Sequence, residues 1–205
     1  MKLKLLSVLF FLPILIYPQD VDKLLNDIQT KFQSIHDLEA DFSQTAMHDT
    51  ETKAFESSGK FYYKKVNKFR VELGSQTIVS DDKSLWNYNE SQNRVIVNNV
   101  ADDPSAFSME KYIMEYPSQC DVSIIKESNR KNKQAILLEP KGLALEFNSI
   151  KLWANKEFVV NKIQIVDLNG MIITIMLKEI KINQNIEDSK FTFIPPKGSQ
   201  VIDLR

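Results

Sequence analysis

Cysteine, histidine and glycine are all scarce in this chain of 205 residues, and each shortage argues against a class of protein. Cys120 is the single cysteine, so no disulfide can form within the chain. His36 and His48 are the only histidines, and no HExxH, CxxC, GxSxG or glycine-rich phosphate loop occurs. We therefore predict no catalytic residues, no metal site and no cofactor, and a protein that is not an enzyme.

An excess of charge is also lacking, because 26 Lys and Arg stand against 27 Asp and Glu. Nucleic-acid-binding proteins are usually strongly basic, so a nucleic-acid partner is not expected. Proline is missing between Pro18 and Pro104, as a run of hydrogen-bonded strands requires. The five glycines are expected at turns or at the starts of strands.

The longest apolar run lies at the N-terminus, where residues 5–17 follow Lys2 and Lys4. A basic start before a short apolar stretch is the layout of a secretory signal, and the run is too short to span a bilayer comfortably. We predict a signal peptide over residues 1–19 and one domain over residues 20–205. Because no small-x-small pattern marks a cleavage site, an uncleaved membrane anchor stays open.

Residues 59–88 have the strongest strand pattern in the chain. Phe61 and Tyr63 alternate with polar neighbours, and so do Phe69 and Val71. A period of two indicates strands with one apolar face, and short polar clusters between them provide the turns. The pattern predicts an antiparallel meander whose apolar face must be covered.

Two helices are available to cover that face. Residues 20–38 carry apolar side chains at helical spacing, and Asp103-Pro104 begins a shorter helix that ends before Pro117. Strands resume after it, with a change of apolar phase in residues 144–153 that indicates a bulge. Residues 171–182 are apolar on both faces, so we expect both to be covered. The fold class is α+β.

The order of these segments, together with several short motifs, resembles the LolA family of periplasmic lipoprotein carriers. The motifs are DFSQ (residues 41–44), GKFYYKKVNKFRVE (59–72), IVSDDKSLWNYN (78–89), LLEPKG (137–142) and FTFIPPKGSQVID (191–203). They occur in order along nearly the whole mature chain.

The resemblance implies an incomplete antiparallel β-barrel of about eleven strands with a helical lid. It also implies a periplasmic monomer that binds acylated lipoproteins in a hydrophobic cavity. Such a carrier takes its cargo from an inner-membrane ABC-type lipoprotein release complex and delivers it to an outer-membrane acceptor. The sequence does not distinguish a filled interior from a hollow one.

The resemblance also implies candidate residues for the cavity and the lid. They are Phe61, Tyr63, Phe69, Val71, Leu85, Trp86, Tyr88, Phe107, Ile113, Met114, Phe147, Ile173 and Ile175. Phe69 falls where the family has an aromatic important for taking up cargo. Lys65 falls where the family has an arginine that latches the lid, and it is our candidate for that latch.

Two other functions remain open at this point. A protein of the same fold could act as a periplasmic lipid- or lipoprotein-binding sensor that regulates another protein. A third possibility is an enzyme that binds a small hydrophobic substrate. The lack of a set of catalytic residues argues against it.

Overall fold

The structure is a computed structural model that describes residues 19–48, 53–100, 108–126 and 134–205. The predicted signal peptide, apart from Gln19, lies outside the described residues, and so does the predicted helix start at Asp103-Pro104. The helices are α1 (Gln19–Gln33) and the short α2 (Tyr116–Gln119). The strands are β1 (Asp37–Met47), β2 (Lys53–Lys64), β3 (Lys68–Leu73), β4 (Gln76–Asp81), β5 (Ser84–Asn89), β6 (Arg94–Asn99), β7 (Cys120–Lys126), β8 (Gln134–Pro140), β9 (Phe147–Ala154), β10 (Val160–Asp167), β11 (Ile172–Ile182) and β12 (Gln200–Asp203).

All twelve strands belong to one sheet, in the order β12-β6-β5-β4-β3-β2-β1-β11-β10-β9-β8-β7. Each neighbouring pair from β6 to β7 is antiparallel, whereas β12 adds to β6 in parallel. The two end strands do not pair with each other, so the sheet is curved but not closed. The predicted incomplete antiparallel barrel is confirmed, with one more strand than expected.

Bulges bend the later half of the sheet. In β11, Glu179 has a φ of +49° and the register with β1 shifts there, since Lys178 faces Asp41 while Lys181 faces Glu39. In β9, Phe147 and Ser149 face consecutive residues of β10, which leaves Asn148 as the extra residue. This confirms the bulge predicted from the apolar phase, and it lets Phe147 join the interior.

Different parts of the chain cover the two faces of the sheet. The inner face, which carries Phe61 and Val71, lies against α1 and the lid segment (residues 109–119). On the outer face of β3 to β5, the C-terminal segment (residues 186–205) forms the cover, and its β12 then extends the edge of the sheet beside β6. Its Phe191 is 1% exposed, and the ring of its Phe193 lies 5.7 Å from that of Tyr88.

The outer face of β11 differs from the prediction. Ile175 and Leu177 are buried on the inner face, but Met176 between them is 38% exposed. The expectation that both faces of this strand are covered was wrong, because the C-terminal segment turns toward β3 and β4 instead. An apolar side chain on the outer face did not require a cover, since single exposed apolar residues are common on protein surfaces.

The buried carboxylate of Asp37 fixes the point where the chain leaves the sheet. Asp37 is 3% exposed at the start of β1. It accepts hydrogen bonds from the backbone N–H groups of Gln184 at 2.7 Å, Asn185 at 3.0 Å and Ile186 at 3.3 Å. These bonds satisfy both carboxylate oxygens inside the protein. They direct the C-terminal segment away from the end of β11.

Gly59 lies inside β2, paired with Phe42 of β1, and not at a turn or a strand start as predicted. A Cβ atom at this position would lie 1.7 Å from the backbone oxygen of Glu72 in β3. The close approach of two backbones, rather than turn geometry, therefore requires glycine here.

Candidate functional site

The candidate site is the apolar interior between the inner face of the sheet and its helical cover. The sheet contributes side chains from both halves, including Phe42 of β1, Val71 of β3 and Leu152 of β9. From α1, Ile28 and Phe32 reach the same cluster and are 1% and 5% exposed. One continuous apolar core therefore joins the helices to the concave face of the sheet.

Most of the predicted cavity and lid residues meet in this interior. Those buried in the core are Phe61, Tyr63, Phe69, Val71, Leu85, Ile113, Phe147 and Ile175, and those partly buried against it are Met114 and Ile173. Phe107 lies outside the described residues. The structure therefore places ten of the candidates in one location, whereas their role in binding stays a prediction.

Trp86 and Tyr88 do not belong to that group. Trp86 faces Val79 across the strands, and Tyr88 stacks on Phe193 of the C-terminal segment. Leu85, which precedes Trp86 in β5, points to the opposite face of the sheet and belongs to the inner core. The structure therefore does not bring Trp86 and Tyr88 to the inner face. Because β5 is covered on both faces, apolar character alone does not tell which of its side chains point inward.

The lid segment is a bent helical turn. Lys111–Glu115 form a π-helical turn that leads directly into α2. Met109 and Ile113 are 3% and 1% exposed and belong to the core under the lid. Aromatic contacts join the segment to the sheet. The ring centre of Tyr116 lies 5.7 Å from that of Tyr112 and 5.2 Å from that of Phe147 in β9. Single π-helical turns are frequent at functional sites.

Two polar contacts tie α1 to its surroundings at the edge of the core. The side-chain amide of Gln29 donates a hydrogen bond to the backbone oxygen of Ile113 in the lid segment, at 3.0 Å. The ammonium of Lys65 donates to the backbone oxygen of Gln33, at the last turn of α1. A cation at a helix C-terminus is favourable because the terminal carbonyls carry partial negative charge. The latch candidate therefore contacts the end of α1.

Part of the interior is closed where the described residues line it. A crevice lies between α1, the lid segment and the β9–β10 hairpin, and it has no room for a water molecule. Its lining is apolar and consists of Ile28, Phe32, Ile35, Met109, Ile113, Phe158, Val159 and Val160. A ligand can enter this crevice only if its walls move apart. This part of the interior, where the described residues line it, is thus filled rather than hollow.

A wider groove of about 400 Å³ lies on the outer face at β1 and β2. Polar side chains line most of it, including the ion pair of Asp41 with Lys60 and the nearby Lys178. Such a lining does not suit an apolar ligand, because charged groups would lose their hydration. The groove is therefore not the candidate site.

The strand lysines form ion pairs with the C-terminal segment. Lys64 lies 2.7 Å and Lys68 3.7 Å from the carboxylate of Asp188, and hydrogen bonding by Lys64 holds the pKa of that carboxyl below its usual range. Lys190 lies 3.2 Å from the carboxylate of Glu72. Salt bridges to the C-terminal segment thus occupy much of the basic strand surface, so it is less suited to binding an anionic membrane.

The single cysteine is buried in the inner core. Cys120 is 1% exposed in the inner core, and burial raises the pKa of its thiol. Within the described ranges, no group of three or more His, Cys, Asp or Glu residues could hold a metal ion. None of the helices in those ranges is long and apolar enough to cross a membrane.

The comparisons with known proteins agree with this architecture. The family model for the outer membrane lipoprotein carrier protein LolA matches residues 33–194. The chain belongs to the LolA family. Residues 33–194 include the strands β1 to β11 and the lid segment, so the match covers the inner face of the sheet and the lid segment but not α1.

Two curated relatives of this LolA-family chain illustrate its range. An outer-membrane lipoprotein carrier protein of Histophilus somni (strain 2336) is 25% identical over 184 residues, which are 88% of each chain. The uncharacterized protein MJ0687 of Methanocaldococcus jannaschii is 24% identical over 188 residues, or 89% of this chain. The chain spans only 54% of the length of that second relative.

A crystal structure of an uncharacterized conserved protein from Thermus thermophilus has a similar fold. Its TM-score is 0.58 at 17% sequence identity, and the superposition covers 90% of this chain and 99% of that one. At this identity the likeness extends to the fold alone. It supports the open sheet with a helical cover as the architecture of this LolA-family chain.

Proposed function

We propose that this protein is a periplasmic carrier that binds the acyl chains of lipoproteins and shuttles them from the inner to the outer membrane. The observation that carries the proposal is the LolA family match over residues 33–194, together with an apolar sheet face under a helical cover. The relative from Histophilus somni is named an outer-membrane lipoprotein carrier protein, which supports the proposal. Its proposed partners are an inner-membrane ABC-type release complex and an outer-membrane acceptor, and it works as a monomer.

Acyl chains cannot cross an aqueous compartment unassisted. Burying a chain in an apolar environment is worth about 0.8 kcal/mol per CH₂, so several long chains together represent tens of kcal/mol. A carrier removes this barrier by offering its own apolar interior. In this proposal, the same burial by Phe32, Ile113 and the sheet fills the crevice beneath α1 when no cargo is present.

Loading therefore exchanges one apolar contact for another. When α1 and the lid segment rise, Ile28, Met109 and Ile113 lose their contacts with the sheet, and acyl chains take their place on the same face. Because burial lost by the helices offsets much of the burial gained by the cargo, the net affinity stays moderate. A moderate affinity is what release at an acceptor requires.

Native mass spectrometry of the protein isolated from its own periplasm tests the proposal. We expect a population with bound acylated polypeptide, and lipoproteins should accumulate in the inner membrane when the protein is depleted. Bound free lipid without polypeptide would instead indicate a general lipid carrier. Normal lipoprotein sorting after depletion would refute the shuttle.

We further propose that Lys65 is the latch of the cover, through its contact with the backbone oxygen of Gln33. Replacing Lys65 with Leu removes the cation from the C-terminus of α1, a contact typically worth about 0.3–1 kcal/mol. We expect release of a bound lipopeptide to become about two- to fivefold slower in Lys65→Leu, because the closed, empty state that release restores loses this contact. The rate is measured by transfer of a fluorescent lipopeptide to acceptor vesicles.

Lys83→Leu is the matched control for the latch, because Lys83 is exposed on the β4–β5 turn, away from α1. It should leave loading and release at the wild-type rates. If Lys65→Leu also leaves both rates unchanged, Lys65 has no part in closing the cover.

A further inference from the structure

The core contains a buried hydroxyl group for which the described residues provide no partner. Tyr63 of β2 is 3% exposed, and within the part of the chain that the structure describes its hydroxyl oxygen has no hydrogen-bond partner. A buried hydroxyl without a partner destabilises a protein, and phenylalanine would fill the same space without that loss. Packing alone therefore does not explain why the residue is tyrosine.

The position of Tyr63 in the site is central. It faces Leu38 of β1 and Phe69 of β3 on the inner face of the sheet, and all three belong to the core. Its ring lies 5.6 Å from the ring of Phe32 in α1, which also lines the closed crevice. The hydroxyl is thus buried where α1 meets the sheet, and this is the contact that must open for cargo.

The surroundings favour a neutral acceptor over an anion. Burial, and then the negative charge of Glu110 at the start of the lid segment, raise the pKa of the Tyr63 hydroxyl. The group therefore keeps its proton at neutral pH and acts as a donor. The same charge of Glu110 opposes a carboxylate at this place. An uncharged carbonyl oxygen is the acceptor that fits both conditions.

We infer that Tyr63 forms a polar subsite inside the apolar interior and donates a hydrogen bond to the ester carbonyl of a bound acyl chain. This inference rests on the proposed function and deepens it, since it assigns the linkage by which a chain is recognised. The methylene tail would lie against the apolar sheet, and the ester would stop at Tyr63. The hydrogen bond between Tyr63 and the ester therefore sets how deeply an acyl chain enters the interior.

The test compares ester and ether ligands in wild type and in Tyr63→Phe. The probes are an S-diacylglyceryl lipopeptide with two palmitoyl esters and the same lipopeptide with two hexadecyl ethers, measured by displacement of a fluorescent fatty-acyl probe. For the ester, we expect Tyr63→Phe to raise Kd about five- to tenfold, which corresponds to about 1.0–1.4 kcal/mol. For the ether, the change should stay below about twofold, because an ether oxygen is the weaker acceptor.

Tyr62→Phe is the matched control, since Tyr62 is the next residue and its ring lies on the outer face beneath Lys190, at 3.9 Å. It should change neither Kd. Thermal unfolding without ligand separates binding from folding. Tyr63→Phe should unfold at the wild-type temperature or above it, and a clearly lower temperature would mean that the hydroxyl has a partner in the protein, which overturns the inference.

The remaining outcomes distinguish this inference from the proposed function. Equal losses for ester and ether in Tyr63→Phe, or no loss for either, overturn the subsite and leave the carrier intact. A phospholipid with ester-linked chains forms a third arm. If wild type binds the phospholipid as tightly as the lipopeptide, and Tyr63→Phe loses the same affinity for both, the ester subsite is supported. Selectivity for lipoproteins is then rejected. Wild-type protein that binds none of the three overturns both.

Discussion

Replacement of Asp37 by Ala is expected to lower the free energy of unfolding by about 4 kcal/mol. Each carboxylate oxygen accepts from the backbone, and the N–H groups of residues 184–186 would lose their acceptor. A hydrogen bond to a charged group contributes about 1.5–3 kcal/mol, so the loss of three reaches this range even though water can reach the N–H groups of the exposed Gln184 and Asn185. Urea unfolding followed by tryptophan fluorescence measures the loss.

Two further variants make the result specific to the buried carboxylate. Asp37→Asn keeps one oxygen acceptor at the same volume and should lose about half as much stability. Asp41→Ala lies on the same strand, but its carboxylate pairs with Lys60 at an exposed position, so the expected loss is at most about 1 kcal/mol. An Asp37→Ala protein as stable as Asp41→Ala would show that the turn does not depend on the carboxylate.

Replacement of Gly59 by Ala is the second change for which we expect a large loss, about 3 kcal/mol or more. The added Cβ would lie 1.7 Å from the backbone oxygen of Glu72, and no rotation can move a Cβ aside. The end of β3 must shift instead, which disturbs the pairing of β2 with β3 beside Phe61. Chemical denaturation and near-UV circular dichroism would report the loss and the altered aromatic packing.

Gly142→Ala is the matched control for this prediction. A Cβ at Gly142 would meet nothing within 4 Å, and the residue is exposed between β8 and β9. Glycine-to-alanine changes at compatible positions usually stabilise by about 0.4–1 kcal/mol, through the unfolded state. We therefore expect opposite signs at the two glycines. A stabilising Gly59→Ala would contradict the close approach of β2 and β3.

The sequence predicted the inner face of the first strands because a single physical condition governs it. Phe61, Tyr63, Phe69 and Val71 repeat every second residue, and a strand with one buried face needs that repeat. In the structure Phe61 faces Val71 and Tyr63 faces Phe69, so the two repeats lie on one face of the sheet. The bulge in β9 was predicted for the same reason, as a break in an otherwise regular pattern.

Where a strand is covered on both faces, the pattern loses this information. Leu85, Trp86 and Tyr88 are all apolar or aromatic, and only the long-range position of Phe193 decides which of them point away from the helices. Residues 186–199 have no periodicity that would reveal them as a second cover. Their course depends on the hydrogen bonds of Asp37, a contact across nearly 150 positions of sequence.

The contacts that close the interior were also beyond sequence reasoning. Gln29 reaches a carbonyl of a π-helical turn, and neither its partner nor the turn has a pattern of its own. The unpartnered hydroxyl of Tyr63 has no signal in the sequence, because alternation marks the residue only as one of the inner face. Both features depend on how α1 lies across the sheet.

The separate covers of the two faces have a mechanical consequence. Phe191, β12 and the salt bridges of Asp188 brace the convex side of the first strands independently of α1. Because the C-terminal segment supports the outer face, the sheet can keep its curvature while its inner face is uncovered. We therefore expect backbone amides of β4–β6 to resist deuterium exchange throughout a transport cycle, while those of α1 exchange each time the front opens.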